Sequence, residues 1–71
     1  MKLRDYIKSL SEDERDDYAR RCGTTPAYLQ IHILPARKEP RKPLREALAR
    51  ESDGKVSLLE VLEHFGMAQA A

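Results

Sequence analysis

Tryptophan is absent, cysteine occurs once, and three tyrosines and one phenylalanine supply all the aromatic side chains of this 71-residue chain. The single cysteine, Cys22, has no partner for an internal disulfide, so cross-linking is excluded as a source of stability and a reducing compartment is expected. No apolar run approaches the ~20 residues of a membrane span, and residues 1–30 lack the apolar stretch of a signal peptide. The expectation is a cytoplasmic protein without a membrane partner. No Ser/His/Asp set, paired-carboxylate cleft or glycine-rich phosphate loop is legible, and so short a chain leaves little room for a pocket. Neither an enzyme nor a small-molecule substrate is expected. Cys22, His32 and His64 match no zinc spacing and offer one thiolate, so no metal and no cofactor are expected, and Cys22 reads as a small core residue.

What is present is the composition of one small globular domain, 41% hydrophobic and 35% charged. Folding at this size buries only about 60% of the unfolded surface, so the margin is thin and a dimer would add to it. Residues 1–66 are expected to form the domain and 67–71 a frayed tail. The net charge of +1 hides an asymmetry: residues 21–50 carry seven Lys/Arg against two Asp/Glu, whereas residues 51–71 carry one Lys against four Asp/Glu. Positive charge in one segment is the footprint of a phosphate-bearing partner, or simply a solvated basic loop.

Five helices are legible. Leu3, Tyr6, Ile7 and Leu10 follow the i, i+3, i+4, i+7 stripe of a first helix. Ser11 and Glu14 form an S-x-x-E capping box, so the acidic run 12–14 reads as helix-start chemistry, with an acidic partner site as the alternative. This second helix is expected to bury Tyr18, Ala19 and Cys22. Leu44, Ala47 and Leu48 turn a fourth helix inward, with Arg45 and Arg50 outward. Ser57 and Glu60 form a second capping box, opening a fifth helix that ends at Gly66. Its apolar residues Leu58, Val61, Leu62 and Phe65 cover more circumference than one core contact requires, and part of that surface is expected to face a second subunit.

The chain is organised around residues 15–34. Ala19 and Gly23 stand four apart and Leu29 follows six later, as two short helices need in order to cross closely. Gly23 suits a left-handed C-cap, Thr25 is a candidate N-cap, and Pro26 fits the first helical position. The pattern predicts a DNA-binding helix-turn-helix whose second helix, over 25–34, enters the major groove. Leu29 and Ile33 would face the core. Thr25, Pro26, Ala27, Gln30 and Ile31 would face base edges, Gln30 pairing with adenine and Ala27 or the Thr25 methyl meeting a thymine methyl. Two readings stand for Tyr28, support of Leu29 or a hydrogen bond to phosphate. His32 reads as a half-buried structural residue, with a titrating switch as the alternative. Pro35 is expected to stop the helix. The loop 35–43, PARKEPRKP, is stiffened by its prolines and brings Arg37, Lys38, Arg41 and Lys42 to phosphates; a linker or proline-rich ligand is the bland alternative.

The run of L-x-x-Y-I at 3–7, Ala19 and Gly23, T-P-A-Y-L at 25–29, the basic proline loop, L-x-x-A-L at 44–48 and D-G-K-V-S at 53–57 resembles a known family. It is similar to the small Cro/CI-type helix-turn-helix repressors of temperate phages and prophages, in their Cro-like, YdaS-like branch, over about residues 3–62. The resemblance implies an all-α, five-helix, lambda repressor-like DNA-binding domain that binds palindromic operators as a weak homodimer and represses by occluding a promoter. It implies a phosphate contact at Arg15. The chain departs from the family in carrying His32 at an aliphatic position and one additional residue between Leu29 and Pro40. The alternative function is a protein-interaction module on the same fold, an antitoxin or antirepressor-like partner binder.

Overall fold

Two serines open two of the helices. Ser11 Oγ accepts the Glu14 N–H at 3.2 Å while Glu14 Oε1 accepts the Ser11 N–H at 2.8 Å. Ser57 and Glu60 repeat the arrangement at 3.1 and 3.0 Å. Each box satisfies two of the backbone donors that a helix start leaves open. The computed structural model describes residues 1–67, and across them the chain is all-helical, with five helices and no strand. They are α1 (Leu3–Ser9), α2 (Glu12–Arg21), α3, α4 (Lys42–Arg50) and α5 (Leu58–His64). Helix α3 opens as one α turn, Pro26–Tyr28, and continues as a π-helical segment, Leu29–Ile33. Among the described residues no helix is long and apolar enough to cross a membrane.

One core joins all five helices: Leu3, Tyr6 and Ile7 of α1, Tyr18 and Ala19 of α2 with Cys22 just beyond, Leu29 and Ile33 of α3, Ala47 and Leu48 of α4, and Val61 of α5 with Phe65. Helix α4 packs on α5, α5 on α1, and α2 on α3. The Cα radius of gyration of 11.0 Å equals the about 11 Å expected of a close-packed chain this long. Tyr18 is fully buried and meets Tyr6 edge-to-face with ring centroids 5.2 Å apart. Its hydroxyl donates to the Leu48 carbonyl at 2.5 Å, pinning α2 to α4. Burial pushes the Tyr18 hydroxyl above the usual phenol range, so it remains a donor at any physiological pH. Ser52, the one buried polar residue among those described, accepts the Val56 N–H at 3.0 Å and donates to the Ala49 carbonyl at 2.7 Å, closing the α4–α5 turn through left-handed Asp53 and Gly54.

Several sequence expectations are corrected. Leu10 lies beyond α1 as its extended C-cap, half-buried. Helix α4 starts at Lys42, so Lys42 and Pro43 belong to its first turn, where a missing N–H goes unneeded. Arg45 is half-buried and its Nη1 donates to the Pro40 carbonyl at 2.9 Å, tying the proline loop to α4. Val61 is fully buried and Phe65 is 9% exposed, so these two fill the chain's own core and do not present a subunit interface. Leu62 is half-buried; Leu58 is 45% exposed and its neighbour Leu59 is 59% exposed. Met67 packs against the core and donates its N–H to the Leu62 carbonyl at 2.8 Å, so it belongs to the fold and not to a frayed tail. The rest of that expected tail, 68–71, lies outside the described residues.

Tyr18→Phe removes the donor that the Leu48 carbonyl meets in the core, and is expected to cost about 1–3 kcal/mol in urea unfolding. Glu14 is held below the usual carboxylate range, chiefly by the Ser11 N–H. Its folded value lies under its unfolded one, so the box stabilises above the unfolded range and its contribution is lost as pH falls through the lowered value. NMR titration is expected to find Glu14 titrating low in the wild type and only slightly less so in Ser11→Ala, which loses the hydroxyl and keeps the backbone N–H.

Candidate nucleic-acid interface

Helix α2 ends where Gly23 takes φ +79°, a conformation that costs glycine little. The Thr24 N–H then reaches back to the Ala19 carbonyl at 2.9 Å and the Gly23 N–H to that of Arg20 at 3.0 Å, satisfying the last carbonyls of α2. Two residues later the chain restarts. Thr25 Oγ1 accepts the Tyr28 N–H at 3.1 Å and Pro26 occupies the first turn, as the sequence predicts. The Thr25 hydroxyl is thereby committed to capping, which leaves its methyl for an outside contact.

Leu29 and Ile33 are both fully buried and hold α3 to the core by one side. Thr25, Pro26, Ala27, Gln30 and Ile31 are all exposed. The circumference of α3 divides further. Pro26, Ala27 and Gln30 border a shallow cleft shared with Glu12, Arg15 and Asp16 of α2. Tyr28 turns the other way, into a groove bordered by Thr24, Arg41, Leu44, Ala47 and Arg50. The His32 ring lies 4.8 Å from that of Tyr28 and is half-buried. Ile31, 54% exposed, forms the outer ridge. From α5, His64 Nε2 donates to the Ile33 carbonyl at 2.7 Å and fastens the end of α3.

Helix α3 ends at Ile33, ahead of Pro35, with Leu34 as its C-cap. Leu34 keeps right-handed helical angles, φ −58° and ψ −47°, and its N–H bonds the Leu29 carbonyl five residues back at 2.8 Å. In an α-helix the Pro35 ring would press on the Ile31 carbonyl four residues back; a widened π turn gives it room. The chain turns away from α3 at Ala36, which takes the left-handed φ of +57° while the Arg37 N–H bonds the His32 carbonyl at 3.0 Å.

The expected phosphate-binding residues fall into separate groups. Arg37, Lys38 and Arg41 are exposed, and none has an ion-pair partner among the described residues. Lys42 is 77% exposed and 3.9 Å from Glu46. Arg41 and Tyr28 share the groove described above. Arg15 stands apart, half-buried between Glu12 and Asp16, with Nη2 donating to the Leu10 carbonyl at 3.2 Å. Four bordering residues are not among the expected contact residues, though the sequence places Glu12 in an acidic helix start and Arg50 facing outward. Arg50 and Thr24 join the Tyr28 groove, and Glu12 and Asp16 put two carboxylates beside Gln30. The i, i+4 spacing of Glu12 and Asp16 was the signal that they share one face of α2.

Burial pushes the Cys22 thiol up to about 11, so it is uncharged at neutral pH and suited to packing. Among the described residues no group of three His, Cys, Asp or Glu side chains is placed to hold a metal ion. No protein-family model, curated protein or solved structure matches this chain.

An alanine with left-handed φ pays a steric cost that glycine avoids. Ala36→Gly is therefore expected to raise stability in urea unfolding by up to about 1 kcal/mol, and Ala36→Val to lower it.

Proposed function

We propose that this chain is a sequence-specific DNA-binding transcriptional regulator of the helix-turn-helix type, a Cro-like phage or prophage repressor acting in the cytoplasm of a bacterial host. The observation that carries the reading is the two-sidedness of α3: Leu29 and Ile33 are fully buried while Thr25, Pro26, Ala27, Gln30 and Ile31 stand exposed along its outer side. Helix α2 packs on α3 as a brace, and α3 enters the major groove of double-stranded DNA. Arg37, Lys38, Arg41 and Lys42 grip one phosphate strand, with Tyr28 beside Arg41. Glu12 and Asp16 repel phosphate on the opposite flank, so the cationic side sets the orientation of the protein on the duplex, and Arg15 between them contributes less. Their carboxylates suit a cytosine amino group next to the edge read by Gln30. A weak homodimer through Leu58, Leu59 and Leu62 places two copies of α3 one helical turn of DNA apart on a palindromic operator.

A second reading rests on the same exposed Leu58 and Leu59: a protein-interaction module, antitoxin or antirepressor-like, whose partner covers those leucines. Capture of a stable heteromeric partner together with failure to retard any duplex favours it over DNA binding.

Selection from a random duplex pool is expected to enrich a two-fold symmetric motif. On that motif Gln30→Ala is expected to lose about 1–3 kcal/mol and to relax base choice at one position per half-site. Arg41→Gln is expected to weaken binding to all duplexes alike and to flatten the log–log salt slope by about 0.9 per subunit. An affinity independent of salt, or no enriched motif, overturns the reading.

A further inference from the structure

Ile31 is a large aliphatic side chain, 54% exposed, at the crest of the one π turn among the described residues. Water gains nothing from it, and the core does not use it: Leu29 and Ile33 fill the inward side of α3 and Leu34 packs alongside. The Leu34 N–H closes on the Leu29 carbonyl, and Pro35, which has no N–H, cannot bond the Ile31 carbonyl as an α-helix would require. A widened turn pushes its outer residues away from the helix axis. Gln30 borders the cleft toward α2, Tyr28 and His32 pair on the far flank, and Ile31 is left alone on the ridge between them.

We propose that the π turn is a specificity element: it carries Ile31 outward as an apolar reader of the 5-methyl group of a pyrimidine, thymine in unmodified DNA, beside the base edge met by Gln30. The inference rests on the DNA-binding reading above and deepens it. The major-groove edge of thymine is the one unmodified base edge that offers a methyl group, and an aliphatic side chain with no hydrogen-bonding atom discriminates by that group alone. Gln30 and Ile31 then divide the work, one reading donors and acceptors and the other reading a methyl.

The test uses the motif enriched by the wild-type protein, resynthesised with each thymine replaced in turn by uracil, which removes only the methyl. Affinities are measured by fluorescence anisotropy for the wild type, Ile31→Ala and Gln30→Ala. One uracil position per half-site is expected to weaken the wild type about fourfold, the worth of one buried methyl-sized group. The same position is expected to leave Ile31→Ala unchanged and to weaken Gln30→Ala as it weakens the wild type. In Pro35→Ala, whose restored N–H can bond the Ile31 carbonyl, the uracil penalty is expected to shrink while thermal unfolding stays cooperative. If every uracil penalty of the wild type survives in Ile31→Ala, or the wild type shows none at any position, the role of Ile31 is overturned. A penalty undiminished in a folded Pro35→Ala overturns the role of the π turn. Failure of the wild type to enrich any motif is a different result, and removes the DNA-binding reading itself.

Discussion

A helix as short as residues 26–33 does not persist alone in water, because nucleation costs more than one or two turns return. Its existence here depends on the burial of Leu29 and Ile33, both fully enclosed. At roughly 1.5–3 kcal/mol for each aliphatic side chain taken from water, that pair outweighs any intrinsic helix propensity in the segment. The surroundings serve this anchorage. Tyr18 locks α2 to α4 through the Leu48 carbonyl, α2 packs on α3, and His64 of α5 holds the Ile33 carbonyl. What remains free is the opposite side of α3, where Thr25, Pro26, Ala27, Gln30 and Ile31 stand exposed.

Charge is distributed to match. Three of the exposed cations without an ion pair among the described residues, Arg37, Lys38 and Arg41, lie in the segment that leaves α3, and Arg45 fixes its far end by holding the Pro40 carbonyl. Other cations are spent internally: Arg21 bonds Asp17 at 2.9 Å and the Glu51 carbonyl at 3.0 Å. Exposed pairs of this kind contribute little to stability. The acidic start of α2 does two things at once. Glu14 completes a cap, while Glu12 and Asp16 face the cleft beside Gln30.

Much of this was legible from residues alone because it is local. Caps act over three residues: Ser11 with Glu14, Ser57 with Glu60 and Thr25 with the Tyr28 N–H all stand where the spacing predicts. The glycines at 23, 54 and 66 take the left-handed angles their positions at helix ends and turns require. The core members Leu3, Tyr6, Ile7, Tyr18, Ala19, Leu29, Ile33, Ala47 and Leu48 follow helical periodicity, which one face of each helix turns into burial. The exposure of the candidate reading residues follows from the same periodicity, since a helix that buries i and i+4 must show the positions between.

The sequence by itself determined five helices, their caps and which stripe of each seeks the interior, because those follow from interactions a few residues long. Tertiary structure alone decided which apolar residues were left over. Val61 and Phe65 went into the core and Leu58 and Leu59 did not, a choice set by where α1 and α4 meet α5. It also decided that α3 ends in a widened π turn ahead of Pro35, where Leu29 and Ile33 are buried and the Leu34 N–H closes on the Leu29 carbonyl. Local chemistry proposes a boundary or a surface; packing against distant residues has the larger free energy and settles where each one falls.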